Sequence, residues 1–142
     1  MNNSFINTKS SGFTLIELLV VVAIIGILAA IGIVSYSGYV EGTKKKSAEN
    51  VLQQISLGQT EYYSDNGSYY TTHTGANCSG NATSSSSIET NLLGEADVIK
   101  ADNDYNFCIA TGASGDKYKV FATDGSCTLS MTGNGVLARS SC

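Results

Sequence analysis

The apolar and polar positions of the chain first predict a long helix. A continuous apolar run extends from Leu18 to Val34. Beyond it, apolar residues recur at helical spacing on one stripe, with polar residues between them: Ala48, Val51, Leu52, Ile55 and Tyr62. The two patterns predict one helix from about Phe13 to Tyr63, apolar all round in its first half and amphipathic in its second. No proline interrupts this pattern, because the chain of 142 residues contains none.

The segment that follows the helix has the composition of irregular structure. Asp65-Asn66-Gly67 is a turn signal that ends the helix. Ser68 to Asp104 is rich in Ser, Thr, Gly and Asn, including the run Ser84 to Ser87. We expect this stretch to be irregular apart from a short helix around Ile88 to Leu93.

Alternation of apolar and polar residues then predicts three or four strands. The predicted strands are 104–111, 117–123, 127–132 and 135–139, with Gly133-Asn134 as a hairpin turn before the last. Their apolar faces carry Tyr105, Phe107, Ile109, Tyr118, Val120, Ala122, Cys127, Leu129 and Met131. These faces would cover the stripe of the amphipathic half-helix. The expected fold is α+β, one long N-terminal helix packed by a small antiparallel sheet.

One acid lies near the start of the apolar run. The residues from Phe13 to Val34 rise about 1.5 Å each, so together they span roughly the 30 Å hydrocarbon core of a bilayer. A charge within such a helix costs several kcal/mol unless it is paired, and it is therefore a functional candidate. The sequence predicts a single membrane-crossing helix with one unpaired acid, Glu17.

The segment from Gly12 to Tyr36 resembles the N-terminus of a type IV prepilin, the precursor of a pilus subunit. Gly12 precedes Phe13, Glu17 follows four residues later, and a long apolar helix comes after it. The resemblance implies that a prepilin peptidase cleaves between Gly12 and Phe13 and then N-methylates Phe13. The mature helix and its packed sheet would form the pilin fold.

The resemblance also implies how the chain is divided. It gives a cleaved leader at 1–12, a transmembrane and filament-core helix at 13–34, and an exported pilin domain at 35–142 that includes the amphipathic half-helix 35–63. Charge alone leaves the topology open, because one lysine precedes the apolar run and three follow it. The resemblance implies a precursor in the inner membrane with its C-terminus outside the cytoplasm, and an extracellular filament after assembly.

The resemblance implies an assembly role for Glu17. Cleavage exposes a charged amine on Phe13, and Glu17 of an arriving subunit would neutralise the amine of a subunit already in the filament. A missing partner in a buried pair costs about 3–5 kcal/mol, so such a pair sets axial register. The implied partners are copies of the same chain, the prepilin peptidase, a pilus assembly ATPase with its inner-membrane platform, and an outer-membrane secretin.

The four cysteines indicate two disulfides in an exported domain. Their spacing contains no C-x-x-C, which disfavours zinc and redox chemistry. Of the three possible connectivities, pairing Cys108 with Cys127 is disfavoured, because Cys108 lies opposite the apolar face of its strand and Cys127 shares the apolar face of its own. We expect Cys127 to pair with Cys142 and Cys78 with Cys108. The first loop resembles the C-terminal disulfide loop of pilins.

Charged and catalytic side chains suggest few other functions. A net charge of −4 gives no general attraction to nucleic acid, and no specific nucleic acid is predicted. The run Lys44 to Lys46 has two interpretations, a solvated helix face in which Glu41 pairs with Lys45, or a charge contact between subunits. His73 is expected to be exposed in a polar loop.

No constellation of nucleophile, base or metal ligands is evident, so we expect neither an enzyme nor a cofactor. Asp65-x-Gly67 and Asp102-x-Asp104 lack the EF-hand spacing of a calcium site. The expected function is that of a structural subunit, a major pilin whose filament serves adhesion, twitching motility or uptake. The alternatives are a pseudopilin of a type II secretion system and a minor pilin that acts as a binding module.

Overall fold

The fold was analysed in a computed structural model that describes residues 12–94, 97–99, 104–113 and 117–142. The predicted leader therefore lies almost wholly outside the described residues, as do Asp102 and Asp116. Two helices precede four strands, in the order α1, α2, β1, β2, β3, β4. The chain divides into two compact units, residues 1–40 and residues 41–142.

Helix α1 runs from Leu15 to Asn66 and contributes to both units. Within it lies a stretch that is long and apolar enough to cross a membrane, with a mean hydropathy of 3.0. The large apolar side chains of this stretch are exposed in the isolated chain. The helix ends three residues beyond the predicted Tyr63, where Gly67 takes a φ of +70° and its N–H donates to the Tyr63 carbonyl. A glycine in the left-handed conformation is a common helix terminator.

The amphipathic half of α1 faces the core as the sequence predicts. Ala48, Val51, Leu52 and Ile55 are buried. The stripe continues through Gln59, which is fully buried although it is polar. Its side-chain amide donates to the Tyr70 carbonyl at 2.6 Å and accepts from the Tyr70 N–H at 2.9 Å, so both amide atoms are satisfied.

Helix α2 extends from Ala82 to Leu92 and corrects the prediction for the serine-rich stretch. The run Ser84 to Ser87 is helical, not irregular. Asn81 caps the helix by accepting from the Ser84 N–H, and the Ser84 hydroxyl accepts from the Asn81 N–H. This reciprocal cap satisfies two backbone donors and offsets the weak helix propensity of serine. Ile88 is the fully buried residue of this helix.

The four strands form one antiparallel sheet in the order of the sequence. The strands are β1 (Asn106–Thr111), β2 (Tyr118–Thr123), β3 (Thr128–Thr132) and β4 (Leu137–Ser140). Each predicted strand is present, with ends that differ by one or two residues. The register pairs Ile109 with Val120 and Val120 with Met131, which places the predicted apolar positions on one face.

The core lies between that face of the sheet and the two helices of residues 41–142. The predicted apolar residues of β1, β2 and β3 form one cluster with the buried stripe of α1 and with Ile88 of α2. Cys108 lies on the opposite face, in a smaller cluster with Ala110, Phe121 and Cys78. The α+β prediction is confirmed.

The outer edge of β1 is covered by side chains of α2 and by the loop backbone at Thr72 and His73, not by another strand. The Ser84 hydroxyl donates to the Phe107 carbonyl at 2.6 Å, and the Ser85 hydroxyl accepts from the Phe107 N–H at 2.9 Å. Farther along, the N–H groups of Thr72 and His73 donate to the Ile109 carbonyl. Covered in this way, the edge is not available for pairing with another chain.

Candidate functional site

The first turn of α1 gives Glu17 a partner that sequence analysis missed. One carboxylate oxygen of Glu17 accepts from the Thr14 N–H at 2.8 Å and from the Thr14 hydroxyl at 2.6 Å. In return the Thr14 hydroxyl accepts from the Glu17 N–H at 3.3 Å. This is a capping box, in which the residue before the helix and the third residue inside it satisfy each other's backbone.

The sequence expectation of an unpaired acid concerned its charge, and the structure adds hydrogen bonds that this expectation did not include. Glu17 has hydrogen bonds, although no cation of the described residues is in contact with it. The signal was present in the sequence, because Thr14-x-x-Glu17 before an apolar run is the pattern of a capping box. A carboxylate near a helix N-terminus is also favoured by the helix dipole.

Gly12 and Phe13 lie just before this cap. Neither residue belongs to a helix or strand, and both are exposed, with 91% of the Phe13 side chain accessible. The peptide bond between them is free of helical hydrogen bonds. The bond therefore lies outside the helix, which begins at Leu15.

The lysine run is paired within the chain. Lys44 pairs with Asp104, Lys45 with Glu41 at 3.1 Å, and Lys46 with Glu49 at 2.8 Å. The Glu41–Lys45 pair expected at helical spacing is present. Each lysine of the run thus has a carboxylate partner in its own chain, which favours the structural interpretation of the run over a contact between subunits.

Glu49 is a buried acid that sequence analysis did not select. It lies on α1 between Lys46 and Arg139 of β4, and the Arg139 Nε donates to its carboxylate at 2.9 Å. The hydrogen bond from Lys46 holds the pKa of Glu49 below its ordinary value against the opposing effect of burial, and Arg139 lowers it further. The pair fastens the last strand to the helix, so it is structural.

Both disulfides of the structure lie in residues 41–142. Cys78 is joined to Cys108 and Cys127 to Cys142, the two pairings expected from the sequence, and the disfavoured pairing of Cys108 with Cys127 is not formed. The first ties the loop before α2 to the outer face of β1. The second joins the residue before β3 to the last residue of the chain, so it closes a loop around the β3–β4 hairpin. Crosslinks of this size each stabilise a folded domain by about 3 kcal/mol.

The described residues contain no cluster of metal ligands, and the tyrosines near the end of α1 contact one another. No group of three or more His, Cys, Asp or Glu in the described ranges could hold a metal ion. His73 is exposed in its loop, as expected. The tyrosines near the end of α1 pack on one another, Tyr63 on Tyr69 at 4.5 Å and Tyr62 on Tyr70 at 5.5 Å between ring centroids, so they belong to the core and its rim.

Comparison with known proteins identifies the N-terminal segment. Residues 7–33 match the family model described as the prokaryotic N-terminal methylation motif. The matched residues include the Gly12-Phe13 bond, Glu17 and most of the apolar run. No solved structure gave a significant match to the chain.

Curated relatives are fimbrial proteins and pilins. The chain is 37% identical over 97 residues to the type IV major pilin protein PilE of Neisseria gonorrhoeae, which covers 68% of this chain and 54% of the relative. It is 50% identical over 56 residues to the fimbrial protein EcpC of Eikenella corrodens, covering 39% and 37%. It is 41% identical over 69 residues to the type IV major pilin protein PilA of Myxococcus xanthus, covering 49% and 31%.

The chain thus spans about half of the length of these relatives, or less. The methylation motif extends into the first half of a long helix, and an antiparallel sheet packs on the second half of that helix. Motif, fold and relatives agree with one another, and together they support a type IV pilin.

Proposed function

We propose that this chain is the structural subunit of a type IV pilus, a major pilin that polymerises with its own copies. The observation that carries the proposal is the combination of a methylation motif with an apolar helix that nothing covers in the isolated chain. Apolar side chains from Leu15 to Val34 are mostly more than half exposed. Such a surface is stable only in lipid or against other copies of the same helix.

Processing supports the same function. A prepilin peptidase would cleave the Gly12–Phe13 bond, release the leader 1–12 and methylate the new N-terminus of Phe13. The position of this bond outside the helix and the high exposure of Phe13 are compatible with such a cut. The precursor would lie in the inner membrane through 13–34, with the domain 35–142 outside the cytoplasm.

Assembly would use Glu17. Once the leader is removed, the amine of Phe13 in a neighbouring subunit is a cation that the carboxylate can neutralise in an apolar surrounding. The capping box shows what the carboxylate binds before such a neighbour arrives: Thr14 holds it by two hydrogen bonds. On assembly the Glu17 carboxylate would add the amine of the neighbouring subunit to its hydrogen bonds with Thr14, or exchange them for it. The carboxylate would therefore already be hydrogen-bonded before the neighbour arrives.

Other roles fit the structure less well. The relatives that match are fimbrial proteins and pilins, which favours a filament over a secretion pseudopilin or a separate binding module. A structural role also agrees with the absence of a metal-ligand cluster from the described ranges. An assembly ATPase, an inner-membrane platform and an outer-membrane secretin are the further partners that this function requires.

The test is intact mass spectrometry of filaments sheared from the native cell, before and after reduction. We expect the dominant species to begin at N-methylated Phe13 and to gain four hydrogens on reduction of its two disulfides. A sheared fraction that lacks this chain, while the chain remains in the inner membrane, would contradict the proposal and favour a pseudopilin. A Gly12→Asp variant serves as the processing control, because it should accumulate as the uncleaved precursor.

A further inference from the structure

The last strand of the sheet, β4, contributes no residue to the core cluster. All four of its residues, from Leu137 to Ser140, are exposed. The cluster is formed instead by α1, α2, the first three strands and the segments next to them. Because β4 lies at the end of the sheet, it pairs with β3 alone. Apolar burial therefore does little to keep this strand in place.

Two other contacts hold β4 to the rest of the domain. Arg139 donates from its Nε to the Glu49 carboxylate of α1 at 2.9 Å. Cys142, two residues beyond the strand, is joined to Cys127, which directly precedes β3. We call β4 and the two residues after it, 137–142, the C-terminal strap.

The two disulfides differ in their access to solvent. Cys127 is 2% exposed, whereas its partner Cys142 is an exposed residue. Cys108 is also 2% exposed and packs in the small cluster on the outer face of the sheet, and its partner Cys78 is partly buried against the same cluster. Thiol–disulfide exchange requires a thiolate to reach one of the two sulfur atoms. Exchange should therefore begin at Cys142.

The backbone that leads into the exposed cysteine is strained. Ser141 has a φ of +59°, in the left-handed region, which costs free energy for a residue that carries a Cβ. It lies between Ser140, which pairs with Thr128 in the sheet, and the bonded Cys142. Opening the disulfide would free one of these two fixed neighbours and let Ser141 relax. Strained or exposed disulfides are the ones that are reduced most readily.

Reduction of this disulfide is coupled to the position of β4. Thr128, next to Cys127, pairs with Ser140 in the register of β3 and β4. While that pairing persists, the two thiols are held close together and the bond re-forms. Stable reduction therefore requires β4 to leave β3, which also separates Arg139 from Glu49.

We infer that the C-terminal strap is a redox-sensitive device, closed by the Cys127–Cys142 disulfide and opened by a dithiol. A thiolate of the dithiol attacks the Cys142 sulfur, the S–S bond breaks, and the electron pair goes to the Cys127 sulfur, which takes up a proton. The second thiolate of the dithiol then attacks the mixed disulfide, which releases Cys142 as a thiol and leaves the dithiol oxidised. The strap detaches, while Cys78–Cys108 keeps the loop before α2 tied to β1.

The open strap changes the surface of the domain. It exposes the edge of β3, whose backbone N–H and C=O groups can then pair with a strand of another chain. The opposite edge of the sheet, at β1, stays covered. The device lies wholly within residues 41–142 and does not depend on polymerisation, so the failure of either leaves the other standing.

Graded reduction of the full-length protein, purified from the membrane in detergent, tests the order of opening. Samples equilibrated in a series of dithiothreitol concentrations are alkylated, and peptide mass spectrometry identifies the modified cysteines. We expect Cys127 and Cys142 to be modified first, while Cys78 and Cys108 remain joined. Reduction of Cys78–Cys108 first, or of both disulfides together, would overturn the inference.

Hydrogen exchange of the protein with only Cys127–Cys142 reduced tests whether the strap detaches. The peptide that covers 137–142 should lose its protection, whereas peptides from β1 and from the buried stripe of α1 should keep theirs. Unchanged protection of 137–142 would mean that the bond opens while β4 stays in place, and the device would then be ruled out.

A matched pair of variants tests the coupling between strap and disulfide. Arg139→Gln removes the ion pair that holds the closed strap, so the population with Cys127–Cys142 reduced should rise by about fivefold or more in the same redox buffer. Lys45→Gln is the control, because its partner Glu41 also lies on α1 and the pair does not involve the strap. Equal reduced populations in the two variants would contradict the coupling and with it the inference.

Discussion

Single residues of the unit 41–142 show how burial determines what a polar group does. Gln59 and Glu49 are both buried on α1, and both find partners, one in the Tyr70 backbone and the other in Lys46 and Arg139. Tyr105 differs from them. Its hydroxyl is buried and makes no hydrogen bond of ordinary geometry to the described residues, although the Asp124 carboxylate is close enough to affect its pKa. Removing a buried group that has partners should destabilise the fold, whereas removing the Tyr105 hydroxyl should not.

Removing the hydroxyl of Tyr105 should cost little. Burial and the nearby Asp124 charge raise the pKa of Tyr105 from 10.0 to about 12. The unfolded chain would then ionise first as the pH rises, so Tyr105 destabilises the fold progressively between those two values. We expect Tyr105→Phe to leave the melting temperature at pH 7 unchanged or higher and to reduce the loss of stability above pH 10. Circular dichroism melts across this range would show it, and a strongly destabilised variant at pH 7 would contradict the argument.

Removing the charge of Arg139 should cost more. Arg139→Gln keeps the length of the side chain but leaves the buried Glu49 carboxylate with Lys46 alone, at a cost of about 1–3 kcal/mol. Because the pKa of Glu49 is lowered in the folded state, this stabilisation is present above its ordinary value of 4.5 and is lost as the pH falls through the lower folded value. The difference in melting temperature between the unsubstituted protein and Arg139→Gln should therefore be largest near neutral pH and smaller in acid.

Lys45→Gln is the matched control for that measurement. It removes a lysine from a pair with an exposed acid, Glu41, at helical spacing. Such a pair contributes only about 0.3–0.5 kcal/mol. Equal effects of the two substitutions would mean that the Arg139–Glu49 contact does not fasten the last strand.

At the scale of elements, the α1 stripe and the four strands could be predicted because periodicity records which face is buried. Helix α2 was only partly predictable. Serine is a weak helix former, so the run Ser84 to Ser87 has a loop composition, and only the Asn81–Ser84 cap and contacts with β1 make it helical. Those contacts join residues more than twenty positions apart, which no local pattern shows.

The loop before α2 approaches the start of β1 so closely at Gly80 that a side chain would not fit there. A Cβ at Gly80 would lie 2.3 Å from the Asn106 carbonyl oxygen and 2.7 Å from the Phe107 nitrogen, both backbone atoms. Gly80→Ala should therefore displace the loop from the strand and destabilise the domain by about 1–3 kcal/mol. Thermal unfolding measures this loss. Gly42→Ala is the control, because a Cβ there meets no atom within 4 Å and alanine is the better helix former by about 1 kcal/mol.

At the scale of the whole molecule, the residues of the candidate site could be selected from the sequence, but the contacts between them could not. The Gly12-Phe13 bond was selected by the resemblance to prepilins, and Glu17 as an acid within an apolar helix. The capping box between Thr14 and Glu17 can be recognised only when the first residue of the helix is known. The sequence interpretation began the helix at Phe13, whereas the structure begins it at Leu15. The groove between the ends of α1 and α2 could not be predicted from the sequence, because its two helices are separated along the chain.

The proposed assembly role of Glu17 can be separated by experiment from its role as a cap. Glu17→Ala removes both the charge and the acceptor of the Thr14 N–H, whereas Glu17→Gln keeps an oxygen that can accept that hydrogen bond and removes only the charge. If charge pairing with a neighbouring N-terminus sets the register, both variants should remain in the membrane and both should fail to give sheared filaments. If the cap is what matters, Glu17→Gln should assemble and Glu17→Ala should not. Immunoblots of sheared and membrane fractions distinguish these outcomes, and normal filaments from both variants would refute an assembly role for Glu17 altogether.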